Sequence, residues 1–288
     1  MKINILTLFP NMFDGFLTES IIKRAIESNK VDINIKNLRD YSKNKHKQVD
    51  DTPYGGGAGM VLMCEPVFEA VDDLKKKNTK VIMMTPQGKP FNQKMADKLS
   101  KEKDLLIICG HYEGFDERIS SIVDEEISIG DYVLTGGELP AMVLTDSITR
   151  LLPGVIENES KENESFTNDL LDYPTFTKPR EYRGMKVPDV LLSGDHKKID
   201  EWRKDEQIKK TKEKRPDLLK ETKRKIIGEY SLIDDKSNKK MININLDDAY
   251  DFSPKKKDVY DVNKVMIVEP TFISTVAKKN LQKKYSNL

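Results

Sequence analysis

The chain has 288 residues, 37% of them apolar, with 15 glycines and 13 prolines; this suits one large or two ordinary globular domains and excludes collagen-like and disordered compositions. No run approaches the roughly 18 uncharged apolar residues of a membrane span, the opening MKINILTLFPNMF is too short an apolar stretch for a secretory signal, and two cysteines, Cys64 and Cys109, cannot build a disulfide framework or a four-ligand zinc site. The expectation is a cytoplasmic protein with no membrane partner. The net charge of +1 hides a partition: residues 1–157 hold 20 Lys and Arg against 24 Asp and Glu, whereas 176–228 hold 17 against 10. A basic segment behind a mildly acidic one suggests a polyanion-binding module attached to a catalytic or scaffold domain, the alternative being a solvated Lys/Glu helix face.

Short runs rich in Ile, Val and Leu, bounded by Gly, Pro, Asn or Asp, predict buried strands at Ile3–Phe9, Val31–Ile35, Val81–Met84, Leu105–Cys109 and Ile127–Leu134. Between them, helical periodicity predicts helices over Asn11–Ser28, with Asn11 as the cap, and over Glu65–Lys77, Asn92–Lys103 and Leu139–Leu152. Alternating strands and helices indicate an α/β domain with a mostly parallel sheet, here 1–157. The polar, acidic run Glu157–Thr167 reads as a mobile linker, 158–175. Helical segments at Lys197–Lys210 and Asp217–Gly228, split by Pro216, make 176–230 a small helical domain. The extension 231–288 has strand-like pieces at Met241–Leu246 and Val265–Val268, and no motif.

The usual fingerprints are missing from the sequence: no GxxxxGK, no GxGxxG between strand and helix, no GxSxG and no HExxH, and His46, His111 and His196 are scattered. What stands out is three Gly/Pro-rich turns at strand ends, Thr85-Pro-Gln-Gly88, Cys109-Gly-His-Tyr-Glu-Gly114 and Ile129–Pro140. Ligands of α/β sheets bind outside the strand carboxyl ends, and glycine there lets backbone groups approach a planar ligand closely. Cys109, at a strand end with nothing to mark a thiolate, is a small core residue rather than a nucleophile.

The segments Asp50–Met60, Gly110–Arg118, Ser128–Met142 and Val187–Gly194 resemble the bacterial tRNA (guanine-N1)-methyltransferase family. The resemblance runs from Met1 to about Gly228. It implies a trefoil-knotted SPOUT domain, which periodicity alone could not have indicated, a homodimer, a linker and a small helical tRNA-binding domain. It implies methyl transfer from S-adenosylmethionine to N1 of the guanosine immediately 3′ of the anticodon when another guanosine precedes it. Two other readings remain open: a SPOUT methyltransferase with another RNA target, and a non-catalytic tRNA-binding dimer.

Carried over residue by residue, the cofactor would be held by Thr85, Pro86, Gln87, Gly88, Gly110, Glu113, Ile129, Gly130, Asp131, Tyr132, Val133 and Leu134, with Gly136, Gly137 and Pro140 closing the loop. Asp172 would pair with its ammonium group. Removing the guanine N1 proton and stabilising charge at O6 call for a carboxylate base and a cationic donor, and the resemblance implies Glu164 and Arg150. The family carries an aspartate where Glu164 stands, and the linker here is about one residue shorter, so Asp169 is the alternative base. Glu113 is implied in a magnesium dependence, although no octahedral ligand set is legible. His111 receives no role. Lys178, Arg180, Arg183, Lys197, Lys198 and Arg203 are suited to phosphates, and Trp202 is read as a helix-packing residue rather than a stacking one.

Overall fold

In the computed structural model, residues 1–157, 164–166 and 168–219 are described, together with the backbone of 226–233 and 239–245. The chain divides into two units, Met1–Asn168 and Asp169–Leu288.

The first unit contains strands β1 (Lys2–Thr7), β2 (Asp32–Asn37), β3 (Asp50–Asp51), β4 (Val61–Leu62), β5 (Thr79–Pro90), β6 (Asp104–Cys109) and β7 (Glu125–Ser128). Five of these form one sheet in the order β2-β1-β6-β5-β7, with every pairing parallel. The helices are α1 (Asp14–Thr18), α2 (Ser20–Glu27), α3 (Cys64–Leu74), α4 (Gln93–Ser100) and α5 (Glu138–Thr149). Side chains alternate faces along a strand, and β6 shows the consequence. Leu105, Ile107 and Cys109 join one apolar cluster with Ile3, Ile5, Ile82, Met84, Leu99 and, from α5, Ala141, Leu144 and Ile148. Leu106 and Ile108 join a second with Val81, Met83 and, from α3, Val67, Ala70 and Val71. Burial on both faces is why these strands read as unbroken apolar runs.

Three predicted elements change. The helix over Asn11–Ser28 is a 3-10 turn, Pro10–Phe13, followed by α1 and α2, because Glu19 is extended and Ser20 takes a φ of +53°. Asn11 is not the cap: that position is Phe9, whose N–H donates to the Thr7 hydroxyl at 2.9 Å. The strand over Ile127–Leu134 ends at Ser128, whose hydroxyl donates to the Gly130 carbonyl (3.1 Å) and accepts from its N–H (3.2 Å). The apolar residues beyond it serve a cleft and not the sheet.

In the second unit, β8 (Glu181–Tyr182) and β9 (Met185–Lys186) form a hairpin, a 3-10 turn covers Asp189–Leu192, and α6 spans His196–Lys214. The helix over Asp217–Gly228 does not form as predicted, since Ile226–Gly228 belongs to β10 (Ile226–Ile233), antiparallel to β11 (Lys239–Asn245). Strand β10 crosses the expected boundary at 230, and β11 accounts for the strand-like run from Met241. Val265–Val268 and linker residues 158–163 lie outside the described residues.

Candidate active site

Because β6 and β7 both pair in parallel with β5, two of the glycine turns leave the ends of β6 and β7 side by side, and the third interrupts β5 beside them. Met84 and Lys89 both pair with Ile127, so Thr85–Gly88 leave the β5–β7 ladder as a loop. Gly88 is required there because a Cβ would run into the backbone of Glu126 and Ile127. After β6, Gly110 accepts a 2.7 Å hydrogen bond from the Gly137 N–H. A Cβ on Gly137 would lie 2.6 Å from the Gly110 nitrogen, so two backbones meet with no room for a side chain. The glycine-rich run before β4 is part of the same region, since the side chain of Glu113 lies against Gly59.

These turns enclose a cleft of about 220 Å³, the scale of a small molecule rather than of an RNA. Of the residues expected to hold a cofactor, Thr85, Pro86, Gly110, Glu113, Ile129, Gly130, Tyr132, Val133, Leu134, Gly136, Gly137 and Pro140 line it. Gln87, Gly88 and Asp131 do not, and Asp172 belongs to the second unit. The sequence reading missed Met84, Ile127 and Ser128, which the parallel register carries to the wall, and His111, which sits inside a motif already singled out. The His111 ring packs 4.8 Å from that of Phe9, and residue 111 bridges Gly136.

A further group was missed altogether. Glu138, at the first turn of α5, is buried and accepts a 2.7 Å hydrogen bond from the Thr7 hydroxyl at the end of β1. A carboxylate at a helix amino terminus is favoured by the unpaired N–H groups there, and this one also crowds Gly136, where a Cβ would strike its Oε2. Its only sequence signal is an acid between two glycines and an apolar helix. Burial, and then the charge of Glu138, push the Cys109 thiol well above its ordinary value, so Cys109 is the core residue expected.

Arg150 and Glu164, predicted as donor and base, are brought together within the first unit. Arg150 ends α5, and both its terminal nitrogens donate to the Glu164 carboxylate at 2.6 Å. The side chains are 28% and 30% exposed, and this hydrogen bond raises the pKa of Arg150 from its ordinary value. Such a fork is the strong, directional form of an ion pair.

In the second unit, Lys178, Arg180, Arg183, Lys197 and Lys198 are exposed. Lys198 pairs with Asp195 at 3.0 Å. Arg203 is engaged within the unit, 4.9 Å over the Tyr173 ring and 3.3 Å from Asp200. Trp202 is half-buried with Phe176 6.4 Å away, as a packing residue should be. Among the described residues no cluster of three or more His, Cys, Asp or Glu could hold a metal. No described helix is long and apolar enough to cross a membrane.

A parallel sheet packed on both faces, with a small-molecule cleft among glycine turns at its strand ends, defines an α/β protein of the ligand-binding kind. The family described as tRNA (Guanine-1)-methyltransferase TrmD matches residues 1–221, seven short of the Gly228 that the sequence reading gave. Proteins of Staphylococcus aureus strains JH9, Newman and N315, each named tRNA (guanine-N(1)-)-methyltransferase, are 59% identical over 222 residues, 76% of this chain and 91% of theirs. The chain belongs to that family.

Proposed function

We propose that this chain methylates N1 of the guanosine immediately 3′ of the anticodon in tRNA. It does so as a cytoplasmic homodimer, with S-adenosylmethionine in the β5–β7 cleft and Arg150 and Glu164 as the reacting pair. Family membership supports the reaction; the observation that carries the residue assignment is the Arg150–Glu164 fork.

The cleft suits the cofactor because Gly110, Gly136 and Gly137 leave backbone groups bare where any Cβ would collide. Ile129, Leu134 and Pro140 supply an apolar wall for an adenine ring. Bound there, S-adenosylmethionine supplies the electrophilic methyl group. The chain's own residues prepare the nucleophile. Guanine N1 carries a proton, so its lone pair is not available until a base removes it.

Guanine presents an N–H at N1 and an acceptor at O6, the same donor and acceptor types that Arg150 and Glu164 present to each other. A guanine inserted between them can therefore split the fork while keeping hydrogen bonds on both sides. Glu164 takes the N1 proton, and Arg150 donates to O6 as negative charge builds there. Glutamate in place of the family's aspartate adds a methylene to a linker that is about one residue shorter. The two differences offset each other in reach. Lys178, Arg180, Arg183, Lys197 and Lys198 carry the phosphate contacts.

The test is methyl transfer from labelled S-adenosylmethionine to a tRNA with guanosine at the target and preceding positions, using wild type, Glu164→Ala and Glu164→Asp. Turnover by wild type, lost in Glu164→Ala and partly kept in Glu164→Asp with cofactor binding intact, is the expected result. An unaffected Glu164→Ala moves the base to another residue, Asp169 first. Full turnover with adenosine at the target site, or none on any such tRNA, overturns the substrate assignment.

A further inference from the structure

The hairpin β8–β9 is built in a way that core packing does not explain. Its six residues, Glu181–Lys186, are all exposed. Tyr182 and Met185 are direct cross-strand partners, yet they are 56% and 67% exposed. Two residues per strand cannot hold a hairpin in water by themselves; here the Val187 N–H donates to the Arg180 carbonyl at 2.9 Å and closes its base. The loop is Arg183-Gly184, with φ of +51° and +76°. Positive φ at both positions is the two-residue turn that matches strand twist, and Asn-Gly or Gly-Gly would occupy it at least strain. Arginine at the first position costs about 1 kcal/mol of backbone energy. What that conformation gains is visible: the Arg183 guanidinium sits 5.2 Å from the centre of the Tyr182 ring.

The surroundings indicate what would use such a ring. Residues 178–186 contain Lys178, Arg180, Arg183 and Lys186 against one acid, Glu181, itself 3.7 Å from Lys186. Of the other described aromatic residues of the unit, Tyr173 and Trp202 are half-buried and Phe176, at 48%, is less exposed than Tyr182. An exposed aromatic face amid cations is the arrangement that binds single-stranded nucleic acid, the ring stacking on a base while the cations meet phosphates.

We infer that the β8–β9 hairpin is a base-stacking finger for the tRNA, in which Tyr182 stacks on an unpaired base of the anticodon loop and Arg183 presents the ring and meets the backbone. This rests on the tRNA reading above, and it assigns to Tyr182 a stacking role that the sequence alone had considered only for Trp202. Met185 provides the apolar neighbour under the same base.

The test uses the full chain and an unmodified tRNA transcript with guanosines at the target and preceding positions, titrated by fluorescence anisotropy at several salt concentrations. Since one stacked base is worth about 1–3 kcal/mol, Tyr182→Ala should weaken binding by about 5- to 150-fold. Its salt dependence should stay that of wild type, because no charge is lost. Tyr182→Phe should bind within about twofold of wild type, and Arg183→Ala should reduce the salt slope by about one. Cofactor affinity, measured by calorimetry, should be unchanged in Tyr182→Ala.

Wild-type binding by Tyr182→Ala overturns the inference and leaves the tRNA reading standing. Equal losses in Tyr182→Ala and Tyr182→Phe also overturn it, by assigning the contact to the hydroxyl. So does a change in oligomeric mass on substitution, which would place the ring against a second copy of the chain. Absence of tRNA binding by wild type overturns the tRNA reading itself.

Discussion

Met1–Asn168 packs apolar side chains against both faces of one sheet, while the described part of Asp169–Leu288 has a single buried residue, Thr211. The contacts that stand out among the described residues of the second unit are polar. Thr211 donates to the Gln207 carbonyl at 2.6 Å and accepts from Leu171 N–H at 2.9 Å, Asp195 caps α6 by accepting from Lys198 N–H, and cations lie over tyrosines. The difference teaches where each unit keeps its function. On the proposed reading the first unit would hold its cofactor through backbone that the core positions, so altering it would disturb the scaffold. The second would meet its partner through exposed side chains, which can be changed at little cost in stability.

The largest expected effect lies on the Arg150–Glu164 fork of the first unit. Glu164→Gln should lower the rate of the chemical step by roughly 10²–10⁴-fold, the usual scale for a general base, as read in single-turnover methyl transfer. Cofactor affinity should hold; a matching fall in both would make the fork a structural clamp instead.

Two glycines set the units against each other directly. Gly137→Ala forces a Cβ onto the Gly110 backbone, and overpacking of about 1–3 kcal/mol should appear in calorimetry as cofactor affinity weakened by about 5- to 150-fold. Gly184→Ala meets no neighbour and suffers only its φ of +76°. It should cost about 1 kcal/mol of local stability and leave cofactor binding alone. Comparable losses of cofactor affinity in the two variants would erase the distinction.

Thr7→Val removes the hydroxyl that donates to the buried Glu138 carboxylate. Leaving that group unsatisfied should cost about 1–3 kcal/mol, seen as a lower urea midpoint with unchanged slope. Lys197→Ala, on an exposed position of α6, should stay within about 0.5 kcal/mol of wild type in the same experiment. Its effect should fall on tRNA affinity and on the salt dependence of that affinity, and an unfolding midpoint as low as that of Thr7→Val would show the second unit to be less tolerant than its burial implies.

The smallest effect is electrostatic. Lys80 and Glu125 pair at 2.8 Å between β5 and β7 with little exposure. Burial works to raise the Glu125 pKa, but the Lys80 hydrogen bond and charge outweigh it and the carboxyl ends below its ordinary 4.5. A depressed carboxyl contributes stability above its unfolded value, lost as pH falls through the folded one. Lys80→Met should therefore narrow the stability difference between neutral pH and pH below 4.5. An unchanged difference would leave the pair without a role in acid stability.

Legibility in the sequence followed the type of signal. Strands buried on both faces, such as Leu105–Cys109, stood out as apolar runs, and the turns at Thr85–Gly88 and Gly110–Gly114 as glycine and proline punctuation. Arg150 and Glu164 were reachable only through resemblance, because nothing local marks an arginine after a helix or one glutamate among several in an acidic run. Ile129–Leu134 was misread because an apolar loop lining a cleft has the composition of a strand. The helix over Asp217–Gly228 was misread because Lys/Glu-rich charge periodicity does not reveal the partner strand at Lys239–Asn245.

By itself the sequence determined the α/β alternation, the division into an acidic unit and a basic one, and the glycines that keep backbone bare, since period, charge and steric permission are local properties. Only the tertiary structure decided that Met84, Ile127 and Ser128 wall the same cleft, that Thr7 holds Glu138 across 131 positions of chain, and that Arg150 meets Glu164. The first two depend on parallel register and on the meeting of distant segments that no window of sequence contains, and the third on how the chain turns back after α5 over the 14 positions that separate Arg150 from Glu164.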